Sequence, residues 1–107
     1  MNLQYIADSL GFDLEDVTML IDMFLENANQ SLEDLNKAIE TKNFLEIKNA
    51  SHAIKGSSAN LMLDNITSIS SQIEESAKKE SDINYKKLSI ELKNRLKTLE
   101  EMKEPIC

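Results

Sequence analysis

Residues 52–60 read HAIKGSSAN and contain the only histidine of the chain, with a lysine three residues on and a glycine four residues on. Imidazole keeps a substantial neutral fraction near neutral pH, and its neutral ring nitrogen is a nucleophile. A lysine one turn away can donate charge-assisted hydrogen bonds to an anion held at the ring. A glycine one turn away leaves bare backbone, so a partner can come close. In combination the three describe a histidine that takes up a phosphoryl group: His52 as acceptor, Lys55 as the stabilising cation and Gly56 as the opening. Taken singly, each has an ordinary explanation: a surface histidine, a solvated lysine, a close helix crossing. The spacing carries the reading. Ser57 and Ser58 fit packing or helix-side hydroxyls better than catalysis.

The elements that must hold this group are helical. The whole chain has only two glycines and one proline in 107 residues, which argues for long helices and short connections. A short apolar segment from Asn2 to Leu10 closes at Gly11. Asp13 is placed to cap a second helix, with Glu15 and Asp16 well set against its dipole. Its apolar stripe is Leu14, Val17, Ile21, Phe24, Ala28, Leu32, Leu35 and Ile39, at steps of three and four. After a break at TKN, 41–43, a third helix carries Phe44, Ile47, Ser51, Ile54, Ser58 and Leu61. Asp64 is expected to cap a fourth helix with Ile66, Ile69, Ile73 and Ala77, and Lys78 and Lys79 lie near its end. A second break at ESD, 80–82, precedes a last helix with Tyr85, Leu88, Leu92, Leu96 and Leu99, ending before Pro105. Four amphipathic helices with short loops must bury their stripes against one another. The expected fold is a single all-α domain over 1–107: an antiparallel up-down-up-down four-helix bundle with a short extra N-terminal helix.

At 100° per residue, His52 lies about 130° from the centre of its helix's apolar stripe and faces solvent. Its neighbours on that face include Leu45, Lys48, Asn49 and Ala59, which form a candidate docking surface around the ring. On the preceding helix Met19 and Met23 point away from their own stripe and suit a surface that accepts more than one partner. The competing reading is that the N-terminal helix covers them through Tyr5, Ile6 and Leu10.

Composition narrows the function classes. A formal net charge of −7 disfavours nucleic acid and anionic membrane surfaces as partners. A hydrophobic fraction of 41% is too high for disorder. The single cysteine, Cys107, permits no intrachain disulfide and fits a reducing compartment. The N-terminal residues lack the pattern of a signal peptide, and no stretch approaches a membrane span. The expectation is a cytoplasmic monomer. No glycine-rich phosphate loop is present, one histidine is too few for a metal site, and Cys107 is badly placed to pair with His52. No cofactor and no metal are expected.

The segment SHAIKGSSANL at 51–61 resembles the signature of histidine-containing phosphotransfer domains, roughly H-x-[LI]-K-G-[SG]-[SAG] followed by an apolar residue. The preceding LIDMFLENANQSLEDLNKAIETKN resembles the helix that leads into that motif. The resemblance implies a helical bundle that relays phosphate between aspartates of response-regulator receiver domains, with a hybrid histidine kinase as a further candidate partner and no ATP-binding or kinase activity of its own. It implies that His52 is phosphorylated on the ring nitrogen farther from the backbone, that Lys55 steadies the phosphoryl group, that Gly56 makes room for the receiver and that Ile54 is core behind the histidine. Many members carry a glycine ten residues after the histidine; here that position is Met62. Two alternatives stand beside this reading: the phosphoacceptor domain of a chemotaxis-type histidine kinase, and an inert helical interaction module.

Overall fold

The computed structural model describes residues 3–103, and every regular element among them is an α-helix. They are α1 (Leu3–Leu10), α2 (Leu14–Glu40), α3 (Phe44–Asn60), α4 (Asp64–Lys78) and α5 (Tyr85–Lys103). Pro105 and Cys107 lie outside the described residues. Helix α2 packs on α3 and α5, and α4 packs on the same two, so the four long helices close a ring of contacts. Helix α1 packs on α2. At 1.5 Å per residue α2 is about 40 Å long, which matches the 42 Å long axis of the molecule.

The core draws on every helix. Ile6, Val17, Ile21, Leu35, Ile47, Ile54, Leu63, Ile66, Ile73 and Leu92 are its largest fully buried apolar side chains. The stripes expected from the periodicity are those the structure buries, with exceptions at their ends. Leu14, the first residue of α2, is exposed. Ile39, Phe44 and Leu88 are half-buried at the rim.

Asp13 caps α2 as expected, its carboxylate accepting the Asp16 amide at 2.9 Å. Asn43 does the same for α3 through Glu46 at 3.1 Å, and Asn84 accepts the Lys87 amide at 3.0 Å at the start of α5. Asp64 does not cap α4. Leu63 holds the cap position without a side-chain bond, and Asp64 is the first helical residue. The connection from α3 is so short that the cap falls on a side chain the core requires: Leu63 is fully buried. Asp64 still faces the positive end of the helix dipole.

Helices α1 to α4 stop by one device, in which the residue after the C-cap turns left-handed and two amides reach back to the last turn. For α3 these are Met62 N–H to the Ala59 carbonyl at 3.1 Å and Leu63 N–H to the Ser58 carbonyl at 3.0 Å. Gly11 takes the left-handed position without strain at φ 74°. Lys42, Met62 and Glu80 take it at φ 54°, 58° and 52°, a conformation that costs a residue with a Cβ about 1–2 kcal/mol. Met62 therefore performs the stop that the resemblance assigns to glycine.

Helices α3 and α4 pack most extensively, along a seam of small polar residues. Ser51, Ser58 and Ser70 are fully buried. Small side chains let two helix axes approach. Ser51 returns its hydroxyl to the Ile47 carbonyl at 2.7 Å, the usual way a serine is accommodated inside a helix. Ser58 and Thr67 join their hydroxyls across the seam at 2.7 Å.

Candidate functional site

The seam determines what His52 meets. With α3 and α4 held close, the rim of α4 comes against the face of α3 that carries the imidazole. There Glu74 places Oε2 at 2.5 Å from His52 Nδ1. Its other oxygen, Oε1, accepts from the Lys55 ammonium. Three residues from two helices thus form one hydrogen-bonded group. The His52 side chain remains 66% exposed, while that of Glu74 is only 10% exposed.

Burial alone would raise the Glu74 carboxyl. The hydrogen bonds from Lys55 and His52, with the charges of both, outweigh it and hold the group below its ordinary value. Glu74 is therefore a carboxylate near neutral pH, and a carboxylate only accepts. It follows that Nδ1–H of His52 is the donor. In the neutral ring this leaves the lone pair on Nε2, the nitrogen farther from the backbone. A buried, paired carboxylate thus fixes both the tautomer and the orientation of an exposed imidazole.

The ring was expected between flanking lysines; the group that meets it is Glu74. The stripe Ile66, Ile69, Ile73 and Ala77 marks the buried face of α4, and Glu74 lies about 80° round the axis from Ile66. From that flank a long side chain reaches the rim. The sequence signal was weak, a glutamate following a core isoleucine one turn after a buried serine.

The remaining candidates fall as follows. Ile54 is buried directly behind the histidine face. Gly56 is exposed, and a Cβ built on it meets no atom within 4 Å. Nothing among the described residues demands a glycine there. Leu45, Asn49 and Ala59 are exposed on α3, and Lys48 is half-buried. Ser57 and Ser58 are structural: Ser57 bonds the Ala53 carbonyl at 3.0 Å and Ser58 bonds Thr67.

Met19 and Met23 are 60% and 57% exposed, so α1 does not cover them. Ile6 of α1 enters the core instead, and Tyr5 is exposed. The side of α2 on which the methionines lie can be read from its neighbours. Asn36 receives a hydrogen bond from Ser89 of α5 at 2.5 Å, whereas Asp34 and Ala38 line a cleft with Glu46 of α3. Around the α2 axis Met23 falls about 20° from Asp34 and about 140° from Asn36. Met23 therefore lies toward the α3 side of α2, and Met19, about 100° from both Asn36 and Ala38, points straight outward.

The family model for the Hpt domain matches residues 19–102. That is well over half of the chain, and the chain belongs to this family, whose members carry out phosphotransfer in two-component signalling with response regulators and kinases. No curated protein and no solved structure matches the chain. Helix α1 and the first turn of α2 precede the matched region. No helix among the described residues is long and apolar enough to cross a membrane.

Proposed function

We propose that the chain is a phosphorelay intermediate, in which His52 accepts a phosphoryl group from the aspartate of one receiver domain and passes it to another. The observation that carries this reading is the exposed imidazole anchored through Nδ1 by a buried carboxylate, which leaves Nε2 facing solvent as the nucleophile. Nε2 attacks the phosphorus of an aspartyl phosphate. The N–P bond forms as the P–O bond breaks, and the aspartate carboxylate leaves with the electron pair. The ring keeps its Nδ1 proton and gains positive charge, which the Glu74 carboxylate stabilises. Glu74 acts here as a positioning residue. Lys55 holds Glu74 with one N–H and has further donors for phosphoryl oxygens. Reversal of the same steps delivers phosphate onward.

The receiver docks over Gly56, with Leu45 and Ala59 as apolar contacts, Lys48 and Asn49 at the rim, and Met19 and Met23 extending the surface onto α2. The ring of helix contacts and the three-residue connection at 41–43 support an antiparallel up-down-up-down four-helix bundle, since a short link between packed helices forces reversal. The protein acts as a cytoplasmic monomer, with a hybrid histidine kinase as a source of phosphate. An inert module leaves the open glycine and the Glu74 anchor without a purpose.

The test is transfer from phosphorylated receiver domains of the same organism. Wild type is expected to gain an acid-labile, alkali-stable label, and His52→Gln none while remaining folded. Label retained by His52→Gln would place the acceptor elsewhere.

A further inference from the structure

The surface around His52 is electrically divided. On one side a groove of about 620 Å³ runs between the start of α3 and the end of α4, with three lysines, Lys42, Lys48 and Lys78, against one acid, Glu80, in its lining. Lys48 stands one turn before His52, and Lys78 one turn after Glu74. On the other side, beyond Gly56, lies the α3 flank of α2. No Lys, Arg or His precedes Lys37 in the chain, while acids recur throughout that stretch. Next to that flank, on the outward face of α2, Met19, Met23, Glu26 and Gln30 follow at steps of four, three and four, one exposed stripe. Asp16 and Asp34 lie beside it on the side toward α3. Apolar contact is thus offered within an acidic surround on this side of His52, and cationic contact on the other.

We propose that this polarity sets the orientation and the choice of receiver: the partner presents an acidic segment to the lysine groove and a Lys- or Arg-bearing apolar segment to the methionine stripe of α2. The proposal rests on the receiver-docking reading above and adds the charge pattern the receiver must carry. Charge complementarity of this kind fixes register and rejects wrong partners by like-charge contact. It makes a prediction opposite to that of net charge. A chain at −7 approaching the acidic aspartate site of a receiver should associate faster when any acid is removed. If the acids of α2 meet cations on the partner, removing one must slow transfer.

The experiment uses the full chain and a receiver domain from the same organism that phosphorylates the wild type. Rates are measured for Glu26→Lys, Glu26→Gln and Glu26→Asp, each divided by that variant's own labelling by phosphoramidate. At about 20 mM salt Glu26→Lys is expected to be slower by roughly tenfold, Glu26→Gln by less, and Glu26→Asp to retain the wild-type rate. At about 0.5 M salt the gap should close to roughly twofold as screening removes the attraction. Lys78→Glu is expected to slow transfer with the same salt dependence. A Glu26→Lys rate equal to or above wild type overturns the charge reading alone. Failure of every receiver to label the wild type overturns it together with the relay function.

Discussion

Gly56 offers a way to separate folding from docking with one position. In a helix interior, glycine is about 0.8–1 kcal/mol less favourable than alanine. At Gly56 a new Cβ meets nothing within 4 Å, so no steric cost offsets that gain. Gly56→Ala should therefore stabilise the protein by nearly the full amount, and Gly56→Gln by roughly half of it. For a domain of this size 1 kcal/mol corresponds to a rise in Tm of about 4 °C. Phosphotransfer should move the other way. A side chain forced into a packed contact costs about 1–3 kcal/mol, so Gly56→Gln should lower kcat/KM for a receiver by roughly tenfold or more. Thermal unfolding by circular dichroism and rapid-quench transfer assays read the two effects on the same samples. An unchanged or lower Tm for Gly56→Ala would show that the glycine serves the fold. Normal transfer by Gly56→Gln would show that no partner comes close to it.

Further outcomes are expected elsewhere. Glu74→Gln keeps the shape of the side chain but removes the charge facing the ring; losing a charged hydrogen bond of about 1.5–3 kcal/mol should slow transfer roughly 10- to 150-fold, measured against a receiver with circular dichroism as the check on folding. Because the Glu74 carboxyl is held below its ordinary value of 4.5, its contribution to stability is present above that pH and is lost as pH falls through the lower folded value. Urea midpoints of wild type and Glu74→Gln should therefore differ at pH 7 and converge toward pH 3, and a constant difference would refute the assignment. Lys42→Gly and Glu80→Gly should each raise stability by about 0.5–1 kcal/mol in urea titrations, since both are exposed left-handed residues.

What the sequence makes legible follows from what repeats in it. The apolar steps of three and four place the helices and most of the core, though not Leu25, Ala38, Ala50 or Leu63, and short polar residues such as Asp13 mark where helices begin. The histidine, lysine and glycine of the site are legible because their spacing is local to one helix. Glu74 is not, because its role depends on how closely α3 and α4 approach, and that distance is set by serines whose periodicity looks no different from a polar face. Asp64 misleads for a related reason: a good capping residue is displaced by one position when the core claims the leucine before it. Met62 obscures a helix stop that hydrogen bonds enforce without the usual glycine.

Helix α1 has a consequence for how the molecule opens. Eight residues long, it rests mainly on α2, and α2 outruns α3 by ten residues, 27 against 17. The overhang carries Val17 and Ile21, which are fully buried, as are Ile6 and Ala7 of α1. A unit with so few tertiary contacts is the first to detach in sub-global unfolding. Amides of α1 should exchange with solvent through an opening that leaves α3 and α4 protected. During that opening the apolar end of α2 is laid bare on the face turned away from the methionines, so the lifetime of a small N-terminal helix governs how much greasy surface the protein shows to its surroundings.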